Sequence, residues 1–158
     1  MTLFDIFTWI DHTALGEGIR SSSWVFAFIE VFHLLGLTLL LGSILVVNLR
    51  LIGWGPTQEP LANVAEDARP WMILGLWVMA LSGVCLFTSE ALKCYENPPF
   101  FIKMGLLFLA LLFTFTVHGR LTRADEAKLP RRWRILGACA SLILWLGVGL
   151  AGRAIAFY

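Results

Sequence analysis

The chain has 158 residues, 58% of them hydrophobic and 15% charged, with a formal net charge of +1. Together with a mean hydropathy of +0.78, this balance excludes an ordinary soluble domain and points to an integral protein of a lipid bilayer. So even a charge leaves no electrostatic footprint for nucleic acid, and no such partner is expected.

Residues 2–11, TLFDIFTWID, place Leu3, Ile6, Phe7 and Ile10 on one helical face. That spacing predicts a short amphipathic helix lying in the membrane interface, with a lid packed on the bundle as the competing reading. The first twenty residues mix acids into any apolar run, so no cleaved signal peptide is expected. Residues 12–23, HTALGEGIRSSS, read as a turn ending in helix-capping serines, with His12 solvated in it.

The first span follows, residues 24–48, WVFAFIEVFHLLGLTLLLGSILVVN. A run this apolar and this long crosses a ~30 Å hydrocarbon core as a helix. Residues 53–70 carry three prolines and read as a loop; the second span is residues 71–88. A connector closed by Pro98 and Pro99 leads into the third span, residues 100–121, because proline suits the first turn of a helix. The charged stretch 122–134 leads to the fourth span, residues 135–157. The predicted fold is therefore all-α, a four-helix antiparallel membrane bundle forming one domain, with the N-terminal helix at the interface.

Orientation follows from basic asymmetry. Arg120, Arg123, Lys128, Arg131, Arg132 and Arg134 surround the last connector, and Arg50 and Arg69 flank the first loop on the same side. By the positive-inside rule, the basic loop 119–134 is cytoplasmic and both termini are periplasmic, in a bacterial inner membrane.

Ionisable groups inside a membrane are costly, which makes each one a candidate site. At ~1.5 Å per residue, His33 lies roughly 13 Å below the outer surface and Glu30 one turn shallower. Lys103 and Arg153 fall in the same outer zone, so Glu30 and Arg153 can meet as a buried ion pair. Snorkelling to the headgroups is the plainer reading of either cation alone. His118 lies near the inner end, on the order of 14 Å deeper than His33, which argues for two separate sites rather than one shared metal. Met79 and Met72 match the two depths, but methionine on an apolar helix is usually filler. Gly75, Ser82 and Gly83, Gly137 with Ser141, and Gly147 with Ala151 supply small residues for close helix approach. Glu30-x-x-His33 is half of a di-iron carboxylate pattern, and without a second such pair that reading is discarded. Cys85, Cys94 and Cys139 suggest neither a disulfide framework nor a zinc site.

FHLLGLTLLLGSILVVNLRLIG (32–53) resembles the first helix of small bacterial membrane proteins that carry His-Leu-Leu-Gly followed by Asp-Leu-Arg-Leu-Leu-Gly. Asn48 stands here in place of that Asp. NPPFFIKMGLLFLALLFTFTVHGRL (97–121) resembles the same family's Asn-x-x-Phe-x-x-Lys helix ending in His. Those proteins, of uncertain function, are in turn similar to four-helix haem b proteins of the copper-resistance protein D and HemJ types. The wider first-helix signature of the HemJ type, with Tyr-Leu-Pro-Arg, is absent.

The resemblance implies haem b, with His33 as an axial metal ligand and Lys103 and His118 as partners on the third helix. His118 would ligate a second, inner haem, and Arg50, Lys103 or Arg153 would neutralise propionates. Glu30 would orient the His33 ring. The implied function is electron transfer as the membrane anchor of a redox complex. Its partners would be other redox subunits or a periplasmic electron carrier, in a homo- or hetero-oligomer. Porphyrinogen oxidation of the HemJ kind is the enzymatic alternative, and a cofactor-free structural subunit is the third.

Overall fold

The structure is a computed structural model that describes residues 2–55, 58–124 and 129–157. Two short helices come first, α1 (Leu3–Asp11) and α2 (Ala14–Arg20), each begun by a threonine side chain that accepts from a first-turn amide. Helix α3 (Ser23–Ile52) starts at the Ser22 cap and stops at Gly53, whose φ of +97° is the left-handed conformation that suits glycine. Helix α4 (Leu61–Ser89) and the short α5 (Ala91–Tyr95) follow. The third span is continuous but mixed: α6 (Pro98–Phe113), a π-helical turn (Thr114–His118) and α7 (Gly119–Arg123). Helix α8 (Arg131–Ala154) ends in a 3-10 turn, Ile155–Phe157.

Four of these runs, Ser23–Ile52, Leu61–Ser89, Pro98–Arg123 and Arg131–Phe157, are long and apolar enough to cross a membrane. Their outward surfaces are apolar, with Ile143 and Leu150 about 70% exposed, as expected where lipid rather than water is the solvent. The fold is the expected all-α membrane bundle. Helix α3 packs along α4 and α6 along α8, α3 also meets α8, and α4 meets the third span at α7.

The α3–α4 crossing is set by glycines. A Cβ on Gly75 would stand 2.7 Å from the Leu40 amide nitrogen and 2.9 Å from the Gly36 carbonyl oxygen. Only hydrogen at that position lets the two backbones approach so closely. Deeper in, Leu40, Ile44, Ala110, Trp145 and Val148 form one core, and Val47, Leu51, Leu61 and Ala138 a second one towards the basic end.

Two features differ from the sequence expectation, and a third decides between the two readings of the N-terminal helix. Residues 14–20 form a helix rather than a turn, because Thr13 caps it, Ile19 is buried, and Gly16 lies against the Thr88 carbonyl. Helix α4 begins ten residues before the expected span and runs through Pro70. Leu61 and Val64 are buried on that extension, so packing outweighs the hydrogen bond that proline removes. The N-terminal helix acts as a lid. Phe7 is buried against Phe87, Tyr95 and Phe100, while Leu3, Ile6 and Trp9 remain exposed. Lys128 of the basic loop lies outside the described residues.

Candidate functional site

His33, half-buried on α3, turns its Nδ1 to the Ser82 hydroxyl on α4 at 2.8 Å. Ser82 Oγ lies 2.5 Å from the Val78 carbonyl one turn back, which takes the hydroxyl proton. An oxygen whose proton is spent can only accept, so Nδ1 of His33 carries the ring hydrogen and donates it. Nε2 is then the unprotonated nitrogen. Gly83 makes room for this arrangement, since a Cβ there would stand 3.4 Å from His33 Cε1.

Lys103 belongs to the same zone. Its ammonium is near enough to act electrostatically on both His33 and the Cys94 thiol, and its side chain lies over Gly152 of α8. Burial first, and then Glu90, push the Cys94 thiol up to about 11 against the pull of Lys103 and Lys93. At that value the thiol is inert at neutral pH.

Glu30 and Arg153 do not join this zone. Both are exposed, no ion pair links them among the described residues, and the Arg153 guanidinium sits 4.7 Å over the Phe157 ring. The Glu30 side chain is turned outward from α3 rather than into the bundle. Ser82, not Glu30, orients the His33 ring. Arg50 is also committed: its Nε and Nη2 donate to the Glu59 carbonyl at 3.0 and 2.9 Å, closing the loop after α3.

His118 ends the π-helical turn and is only 6% exposed. Its Nε2 lies 2.9 Å from Asn48 Oδ1, and Asn48 Nδ2 donates to Ser141 Oγ at 3.1 Å. With the amide set this way, Nε2 of His118 carries the proton. Trp145 Nε1 donates to Thr114 Oγ1 at 3.0 Å, at the other end of the same turn. Asn48 lies fifteen residues beyond His33 on α3, so the histidines are ~22 Å apart along the axis. That exceeds the ~14 Å sequence estimate, because the outer ends of α3 and α6 are staggered. No single metal can bridge them.

The haem fit therefore concerns His33 alone. A neutral imidazole with its Nδ1 hydrogen held by a neighbour and Nε2 unprotonated is the form that ligates iron, and Lys103 supplies a cation nearby. The Gly36–Gly75 contact closes the space between α3 and α4 just inside His33, so a planar group cannot lie between those two helices at that level. His118 has spent its Nε2 on Asn48, which leaves Nδ1 as its lone-pair nitrogen, and it stands apart from the His33 site.

Sequence reasoning marked Ser82 and Ser141 only as small residues, and placed Asn48 on the same inward stripe of the first span as His33 without giving it a partner. The available signal was their stripe positions: each sits at the level of a histidine. The Asp11–Arg20 pair was missed altogether. Arg20 Nη1 contacts Asp11 Oδ2 at 2.8 Å and the Ser89 carbonyl at 3.1 Å, clasping the lid to the end of α4.

No curated protein and no solved structure matches the chain. Residues 6–158 match DUF6644. With nearly the whole chain covered, the protein belongs to DUF6644, a family of unknown function.

Proposed function

We propose that this protein binds haem b through His33 and passes electrons as the membrane anchor of a redox complex. The observation that carries the reading is the Ser82 hydrogen bond, which fixes the imidazole tautomer and leaves Nε2 as a lone-pair donor. Bound haem iron supplies a one-electron redox centre. The chain's part is to hold the ligand ring, through Ser82, and to offset propionate charge with Lys103 from α6. Arg50 serves the loop instead, and Arg153 is set aside with Glu30 at the exposed outer rim.

The basic end, with Arg69, Arg120, Arg123 and Arg131, supports a cytoplasmic location for loop 119–134 in a bacterial inner membrane. The His33 end then faces the periplasm, where a redox subunit or soluble electron carrier would meet it. A reporter fused after Tyr158 should be active outside the cytoplasm; activity inside reverses the topology.

The test of the cofactor is optical. Protein purified after haem-replete expression should show a Soret band that His33→Ala removes while insertion into the membrane is retained. An unchanged spectrum in that variant rejects the ligand assignment. A colourless wild type favours the second reading, a cofactor-free structural subunit. For that reading the supporting observation is that His33 and Ser82 already bond across helices at a glycine-tight crossing.

A further inference from the structure

At the inner end, α3, α4, the π-helical turn and α7 line an open-sided cavity of about 360 Å³. This is within the size range of small-molecule sites. Its floor is apolar, with Ile44, Val47 and Met72, and its rim carries Glu66, Arg69 and Arg123. His118 forms part of the wall. Because Nε2 donates to Asn48, Nδ1 of this nearly buried ring holds a lone pair, and among the described residues no hydrogen bond engages it.

The neighbouring hydroxyls do not help. Ser43 sends its proton to the Leu39 carbonyl at 2.7 Å and Thr122 sends its own to the Gly119 carbonyl at 3.2 Å. Neither of these hydroxyls donates to His118, and the cationic donors of the lining, Arg69 and Arg123, stand at the rim. His118 Nδ1 is not sealed in the packing, and a ligand in the cavity that brings a hydrogen can meet its lone pair. The turn that shapes this wall is π-helical, a distortion that recurs at functional sites.

We propose that the cavity holds a lipid-soluble phenol or hydroquinone. Its ring lies over Ile44, Val47 and Met72, and its hydroxyl donates to His118 Nδ1. A second ring oxygen would face Arg69 and Arg123 at the rim. The inference is independent of haem at His33 and is tested by binding alone.

The experiment uses the full chain in lipid nanodiscs, held under argon. Decyl-substituted hydroquinone, the matching quinone and decanol are each partitioned against empty nanodiscs. The hydroquinone should bind at least tenfold more tightly than the quinone, because the quinone has no hydrogen for Nδ1. Asn48→Leu removes the acceptor that fixes the proton on Nε2, and the preference should shrink towards unity. His118→Phe should abolish it. Equal retention of all three probes by the wild type makes the cavity a lipid slot, and retention no greater than in empty nanodiscs makes it a water site; either result overturns the proposal. The wild-type comparison decides the matter even if both variants fail to fold.

Discussion

The two intramembrane histidines share one bundle and face opposite circumstances. His33 sits where α3 and α4 are pressed together, half-exposed, with one nitrogen held by Ser82 and the other unprotonated. His118 sits where those helices part around a cavity, almost fully enclosed, its Nε2 tied through Asn48 to Ser141. A histidine in hydrocarbon is thus not one kind of object. Which nitrogen remains unspent, and what space it borders, decides what each ring can hold.

The tight outer crossing is the easiest part of that comparison to break. Gly75→Ala puts a methyl within 2.7 to 2.9 Å of two backbone atoms of α3, which side-chain rotation cannot relieve. It should cost about 1–3 kcal/mol, as overpacking does, read as a lowered midpoint of thermal or denaturant unfolding in detergent. Gly83→Ala, one helix stretch further out, meets only the His33 ring edge at 3.4 Å and should be near neutral. Equal losses at both positions would mean that the crossing is not what holds the outer half together.

Much of this was legible in the sequence, and the reason lies in the lipid. A bilayer demands long apolar helices, so the four spans follow from run length, and the basic end from the placement of arginines. Hydrogen-bond partners were not legible, because Ser82, Asn48 and Ser141 look like ordinary small or polar residues until helix rotation is known. The helix at residues 14–20 was hidden by its two glycines, whose low propensity is overridden by contact with α4. Glu30 misled for the opposite reason: its charge drew notice, yet its face of α3 is turned outward. Proline also misled at position 70, where packing of Leu61 and Val64 carries the helix through.

Ser82 sharpens the comparison at the His33 end. Ser82→Ala removes the acceptor for Nδ1–H without touching the ligand atom. Under the haem reading, affinity should fall about ten- to hundredfold, as for other orienting partners of metal-ligating histidines. Haem retention during dilution or competition by an apo-haemoprotein measures this. Ser82→Thr, which restores a hydroxyl at the same position, should recover most of the loss. A purely structural Ser82 would lower stability in the alanine variant yet leave the absorption spectrum of any bound haem unaltered.

The smallest effect is expected at the lid, which closes the His33 end. Burial raises the Asp11 carboxyl, but Arg20, the Leu92 amide and His12 outweigh it and hold the group below the ordinary carboxylate range. A carboxylate whose folded value is depressed contributes stability above its unfolded value of about 3.9 and loses it as pH falls through the folded one. Arg20 is 39% exposed, so solvent screening limits the contribution to about 1 kcal/mol or less. Below roughly pH 4, the amides of α1 and α2 should therefore exchange hydrogen faster while those of α8 stay protected. Asp11→Asn should show the faster exchange already at neutral pH and no further acid response. If both proteins loosen in parallel as pH falls, the lid is held by Phe7 and its aromatic neighbours alone, and the clasp is incidental to closing the outer end.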